Sequence, residues 1–448
     1  MSQTTTASQG HLARILGLGF GIAVIFGATV GVGILRLPGE IAGRLGSARL
    51  VLAVWIVGGV YSLLGAISLS ELGAALPRAG GFYVYSKRAF GPAVGFGMGW
   101  ADWMINCASI AYAVVAVAEY LTALIPGLTA QGTVLQTGIA LGLLALFCAV
   151  QWFGLRLSSE VQKLTSSVTA IVFIGLAVAC LLHPGVASRP VAVDPNAGHG
   201  TSVLSLLAPV ILVLPGIVVA FDGWYEAIYF TEEDTNAAKN LPRAMIGGVL
   251  LIIGLYLLMN LAFLHVLSIA QLGSSKLAAA DAARVVFPVW SGDFVTVLSM
   301  LTLLSLTNAL LLGATRILFA VGRDGLFAGA ASVAPGGTPR TALLGTAGMA
   351  ALIVLSGRFD DIVAVAAILM ATAYCVNYVA LFVLRIREPE MPRPFRAWGY
   401  PVTTGLVLLG SLAFLVVDVR QDAVSAVRAA VLLGLAAPVY LWKRKRMV

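Results

Sequence analysis

Apolar residues run through this chain in long blocks, and polar positions gather in short clusters between them. Uncharged runs at 50–70, 132–152, 244–264, 294–315 and 362–384 are each long enough for a helix to cross the hydrocarbon core of a bilayer. Apolar stretches near 15–45, 92–125, 158–182, 203–231, 341–357, 399–417 and 423–442 bring the expected spans to twelve. The pattern predicts an all-α polytopic membrane protein, because lipid offers backbone groups no water and a helix satisfies them within itself. Two spans, 15–45 and 203–231, break the pattern: each is long and carries Gly or Pro in its interior.

Composition agrees. The 448 residues are 59% hydrophobic and 11% charged, with a mean hydropathy of +0.96, outside the range of soluble globular domains. The apolar run behind the polar first ten residues continues past signal-peptide length without a small-residue cleavage site, so no removable signal is expected. With the N-terminus inside, 19 of the 28 basic residues fall in cytoplasmic segments, from Arg14 to the tail Lys443 to Arg446. That bias predicts an inner (cytoplasmic) membrane protein with both termini cytoplasmic. It also accounts for the net charge of +8 without a nucleic-acid partner, the tail serving as a lipid-headgroup anchor. Cys107, Cys148, Cys180 and Cys375 lie in apolar stretches and read as small core hydrophobes. His11, His183, His199 and His265 have no metal-ligand spacing. Neither a metal nor a cofactor is expected.

The first interruption is "GATVGVGILRLPGE", 27–40. Gly27 and Gly31 alone would suit a close helix-packing face. Gly33 and Pro38 favour unwinding, since glycine eases non-helical backbone and proline fits the first turn of a restarted helix. The second, "LPGIVVAFDGWYEAIYFTEED", 214–234, places Asp222 and Glu226 inside an apolar span. An acid there marks a functional site or an interhelix bond. Non-helical backbone at membrane depth is tolerated where it lines a cavity.

The breaks fall in spans one and six, five helices apart, so the two broken helices run in opposite directions. This predicts an inverted 5+5 repeat, 15–182 and 203–384, between a tail at 1–14 and helices eleven and twelve at 399–442, with a basic tail at 443–448. The restarted half of span one, near Gly33 and Ile34, would aim free N–H groups at the midplane, suiting a carboxylate. The first half of span six, ending near 219–221, would offer free carbonyls, suiting an ammonium. Together they describe a site for a zwitterion such as an α-amino acid.

At this point the residues resemble a known family, the amino acid–polyamine–organocation (APC) superfamily, in particular bacterial relatives of the L-type amino acid transporters. "GATVGVGILRLPG" is similar to its helix-one signature, and "SELGAALPRAGGFYVYSKRAFGP", 70–92, to the loop after helix two. "FDGWYEAIYFTEEDTNAAKNLPRA", 221–244, resembles helix six to the start of helix seven, and "TNALLLGATRILFAVGRDGLF", 307–327, helix eight and its loop. The resemblance implies a LeuT-type fold, alternating access and main-chain recognition of substrate. It implies that the carboxylate meets the amides of Val32, Gly33 and Ile34, and the ammonium the carbonyls of Thr29, Val219, Ala220 and Asp222.

Three positions depart from the family. Val32 stands where many relatives have Ser. Val219 stands where relatives often carry a gating aromatic, which moves the expected gate to Phe221 or Trp224. Thr169 stands where many sodium-independent relatives carry a helix-five Lys, with Lys163 nearly two turns earlier, so the coupling ion, H⁺ or Na⁺, stays open.

Arg36 is expected either to contact an acidic substrate or to pair with Glu40, four residues on. Asp102 and Glu119 suit a proton relay or interhelix bonding; Asn106 and Asn308 suit the pocket or polar packing. "TEED", 231–234, with Lys239 and Arg243, reads as an inner salt-bridge gate, and 268–287 as an external amphipathic segment. An enzyme would need a nucleophile set or an H-E-x-x-H motif, which the sequence lacks. A channel gains nothing from an antiparallel pair of broken helices. The leading expectation is a secondary amino acid transporter; the alternative is a polyamine or cationic-substrate carrier using Asp222 and Glu226.

Overall fold

The computed structural model describes residues 12–125, 127, 132–185, 203–327, 329–334, 336–357 and 359–445, and the backbone alone at 203–208, 359–364 and 443–445. His11, His199 and the side chains of the basic tail lie outside these. The elements in chain order are α1 (Leu18–Thr29), α2 (Val32–Leu45), α3 (Ala48–Ala75), α4 (Phe82–Phe90), α5 (Pro92–Leu124), α6 (Gly132–Trp152), α7 (Leu155–Leu182) and α8 (Val203–Ala220). A short 3₁₀ helix, Glu226–Phe230, follows. Then come α9 (Ala237–Val266), α10 (Ile269–Ser274), α11 (Ala278–Val286), α12 (Ser291–Arg323), α13 (Arg340–Ser356), α14 (Phe359–Arg387), α15 (Val402–Gln421) and α16 (Ala423–Lys445).

Among the described residues, nine helices are long and apolar enough to cross a membrane. The pair α1 and α2, bent by 48° at its break, makes a tenth. Pro209–Ala220 and Arg340–Ser356 are shorter apolar helices where two more spans were expected. The protein is therefore an all-α, multi-pass membrane protein. The restarted part of span six is a 3₁₀ turn rather than a second α-helix. Its loop also pairs with the N-terminal segment in an isolated bridge, Leu16 to Asp234.

The centre is built by close approach of backbones. Helix α1 packs against α7, α9 and α12, while α5 lies along α12 and α3 along α9. A Cβ on Gly27 would stand 2.2 Å from Gln162 Nε2 and 2.5 Å from Ser305 Oγ. Only a residue without a side chain lets α1 reach the polar face of α7 and α12 there. Several hydroxyls inside helices bond to the carbonyl one turn back, as Ser70 does to Ala66 O (2.6 Å) and Thr315 to Leu311 O (2.6 Å), so these cost little in an apolar core. All four cysteines are free thiols. The segment 268–287 forms α10 and α11, and α10 lies on α2 so closely that a Cβ on Gly43 would stand 2.7 Å from Gly273 O.

Candidate functional site

The first break is narrow. Helix α1 ends at Thr29, with the Val30 N–H still bonded to Phe26 O, and α2 restarts at Val32 behind an extended Gly31. The amides of Gly31, Val32, Gly33 and Ile34 thus open a helix and have no carbonyl one turn back to bond. Val32 and Gly33 are half-buried and Ile34 is buried.

The second break is wide. Helix α8 ends at Ala220, and residues 221–225 turn before the 3₁₀ helix begins. Gly223 has φ +101°, and a Cβ there would stand 2.7 Å from both C and O of Ala28. The two breaks therefore touch through backbone. A Cβ on Gly33 would lie 3.6 Å from Ala220 Cα, so the amino end of α2 and the carboxyl end of α8 are neighbours. Helix ends of opposite polarity converge on one spot.

Tyr256 of α9 ties them together. Its hydroxyl lies 3.1 Å from Thr29 O and 2.8 Å from Ala220 O, the last residues of α1 and α8, and donates its one proton between them. Sequence reasoning missed it. The available signal was a phenol with Asn260 one turn on, alone in the uncharged run 244–264. Val219 O accepts the Asp222 amide (3.1 Å), and the Val219 side chain is 49% exposed. Asp222 is half-buried and accepts a hydrogen bond from the Tyr374 hydroxyl of α14.

Aromatic rings fill the turn. Phe221 packs against Tyr256 (centroids 5.0 Å) and Trp55 (5.9 Å), while Trp224 stacks on Tyr374 (5.6 Å). Both expected gate residues are buried. Below them, Tyr229 donates to both oxygens of Asp102 (2.9 and 2.8 Å), and Asn106 donates to Asp102 O (2.8 Å). Glu226 is 1% exposed, and among the described residues neither of its carboxyl oxygens has a hydrogen-bond partner.

A neutral polar cluster lies behind α1. Ser166 donates to Ala23 O (2.7 Å), Gln162 to Ser305 Oγ (3.1 Å), and Asn308 to Gln162 Oε1 (2.8 Å). Asn308 belongs to this packing rather than to the break. Thr169 is buried nearby on α7, its hydroxyl unpartnered among the described residues. Lys163 is turned away and pairs with Glu160 (2.6 Å), so it belongs to none of these contacts. Gln162 and Ser166, unmarked in the sequence, supply the polar face instead.

The two ends of the site differ. Toward α2, Arg36 is exposed, and Glu40 pairs with Arg44 (3.3 Å) rather than with Arg36. An acid one turn before a base is the better-oriented pair on a helix. Glu119 is exposed and stands apart. Toward α1, ion pairs tie the segment after the 3₁₀ helix to α12. Arg316 of α12 grips the buried Glu233 with two bonds (2.9 and 3.0 Å), and Arg323 grips Glu232 likewise (2.7 and 2.9 Å). Lys87 pairs with Asp324 (2.6 Å). Lys239 and Arg243 are exposed on α9, so the acids at 232 and 233 take their partners from α12, not from that nearer pair. Arg78, Glu232 and Arg323 line a cavity of about 920 Å³ at this end. Among the described residues no group of acids, histidines and cysteines could hold a metal ion.

Two touching helix breaks with ion pairs at one end make up the candidate site. The sequence model of the amino acid permease family matches residues 21–431, and the chain belongs to that family. Its relatives include a serine/threonine exchanger, SteT, from Bacillus subtilis (strain 168), 28% identical over 97% of this chain and 98% of the relative. The human b(0,+)-type amino acid transporter 1 is 25% identical over 92% of this chain and 84% of its own length. The human Asc-type amino acid transporter 1 is 27% identical over 86% and 74%. These are transporters, not enzymes.

Proposed function

We propose that this protein is a secondary carrier that moves L-amino acids across the cytoplasmic membrane by alternating access, with both termini in the cytoplasm. The observation that carries the reading is the meeting of the α2 amino end and the α8 carboxyl end at touching breaks. The amides of Val32, Gly33 and Ile34 take the substrate carboxylate. The carbonyls of Thr29, Val219 and Ala220, with Asp222 beside them, take the ammonium. Residues 15–182 and 203–384 act as inverted repeats that rock against each other around this spot, with 399–442 as two further helices. The ion-paired end is then cytoplasmic, and the α2 end opens outward.

The relatives' names supply the substrate class: exchange of serine and threonine by one, amino acid transport by the others. Purified protein in liposomes loaded with L-serine should take up labelled L-serine saturably and faster than empty liposomes do. A thermal-shift screen over the proteinogenic amino acids and polyamines should give a hit list of one side-chain class. Linear, unsaturable flux would sink the carrier reading.

A second reading, a polyamine or cationic-substrate carrier, draws on Asp222, a half-buried acid within the break. In Asp222→Asn, transport of basic substrates should collapse while neutral ones survive; equal loss of both points to a structural role for the Tyr374 bond.

A further inference from the structure

Glu226 is a buried acid that the site described above does not use. It opens the 3₁₀ helix, is 1% exposed, and both carboxyl oxygens lack a hydrogen-bond partner among the described residues. The neighbouring helix makes room for it: a Cβ on Gly313 of α12 would stand 2.0 Å from Glu226 Oε1. Two further acids, Asp102 on α5 and Asp222 in the break, lie within electrostatic range.

The three differ in what they are given. Asp102 accepts from Tyr229 and Asn106, and Asp222 accepts from Tyr374. Glu226 receives nothing. Among the described residues, no basic side chain comes within ion-pair distance of any of the three. The surrounding elements do not supply a cation either. The stretch α1 has no titratable side chain, and Arg316 of α12 is spent on Glu233. On α9, Tyr256 is spent on the two helix ends, while Lys239 and Arg243 are exposed. On its own helix Glu226 is flanked by Tyr225 and Tyr229, neither of which donates to it.

An ionised carboxylate buried without donors or a counter-charge is strongly disfavoured, and a second acid in range adds to that. A neutral carboxylic acid avoids both terms. We propose that Glu226 is a proton-binding site that couples transport to the pH gradient: it is loaded in the conformation seen here and releases its proton when the 3₁₀ segment swings into water. The step is proton transfer alone, from hydronium to carboxylate on loading and from the acid to water on release. The device for release is already present. The 3₁₀ helix hangs between the Gly223 turn and the Glu232 and Glu233 ion pairs, so breaking those pairs frees it to carry Glu226 out of the Gly313 niche.

This inference rests on the carrier reading, and the test separates the two. Proteoliposomes holding a pH-sensitive dye are given an inward proton gradient and external L-serine, or another amino acid if the thermal-shift screen selects one. Wild type should accumulate substrate with acidification inside. Glu226→Gln should retain counterflow exchange but lose both gradient-driven accumulation and substrate-dependent acidification, and Glu226→Asp should restore part of each. An infrared spectrum of purified protein gives a second readout independent of transport: a buried carboxylic acid band present in wild type and lost in Glu226→Gln. Counterflow by wild type with no proton movement and no such band overturns the inference and leaves the carrier reading intact. Absence of any saturable uptake overturns the carrier reading itself. If Glu226→Gln loses L-lysine and L-arginine transport alone, with no proton flux in wild type, Glu226 is a counter-ion for a cationic side chain and the proton proposal fails.

Discussion

The two breaks do the same topological job with opposite means. The first spans only Val30 and Gly31 and is flanked by regular α-helix on both sides. The second unwinds over 221–225 and ends in a single 3₁₀ segment, held by stacked aromatics and by ion pairs to α12. The first break has little freedom, because α2 is pinned by α10 and α1 by the Gly27 contact. The second stores its hold in contacts that can be exchanged for water. In the carrier proposed above, a fixed set of amides on one side and a releasable segment on the other would keep the site while its access changes.

That contrast can be broken most strongly at Arg316. Arg316→Met leaves Glu233 buried and uncompensated, which costs about 3–5 kcal/mol. The expected outcome is a large drop in thermal stability and exposure of the 3₁₀ segment to cysteine labelling, with most of the stability restored by Arg316→Met with Glu233→Met. Next comes Gly223→Ala, at the point where the breaks touch. A side chain at positive φ costs about 1–2 kcal/mol. Overpacking against Ala28 adds about 1–3 kcal/mol. Expression and melting temperature should fall, and a normal melting temperature would show that the two backbones are not in contact.

Tyr256→Phe keeps the ring but removes the hydroxyl shared by Thr29 and Ala220, a loss of about 0.5–1.5 kcal/mol. Uptake should slow with little change in folding, measured as kcat against KM in proteoliposomes. The smallest effect is expected at Val32→Ser, which restores the hydroxyl common in relatives. One added hydrogen bond to a carboxylate, about 1 kcal/mol, should lower KM several-fold and leave stability unchanged. A gain confined to kcat would place the carboxylate elsewhere.

Much of this was legible in the chain. The breaks announced themselves through the glycines around Gly31 and an acid beside Gly223; Pro38, expected in the first turn of the restarted helix, is instead the seventh residue of α2, inside the helix. Which acid meets which base was not legible. Glu233 and Arg316 are separated by 83 residues, and Lys239 and Arg243 look like nearer partners until the fold turns them outward. On α7, Gln162, Ser166 and Thr169 are all buried at one-face spacing while Lys163 pairs with Glu160; the sequence drew attention to Thr169 and Lys163 but not to Gln162 and Ser166, which meet α1. A residue's neighbours along a helix follow from spacing, but the rotation of that helix is set by what it packs against.

By itself, then, the sequence determined that the chain crosses a membrane repeatedly, where two spans come apart and which helix polarity each break presents. Those follow from local physics: hydropathy, the conformational freedom of glycine and the direction of the peptide dipole. Tertiary structure alone decided that the breaks touch through Gly223 and Ala28, that Tyr256 bridges their carbonyls, and that Glu226 sits in a niche without a partner among the described residues. Such facts depend on contacts between segments far apart in the chain, and no local pattern encodes which surfaces close packing will bring together.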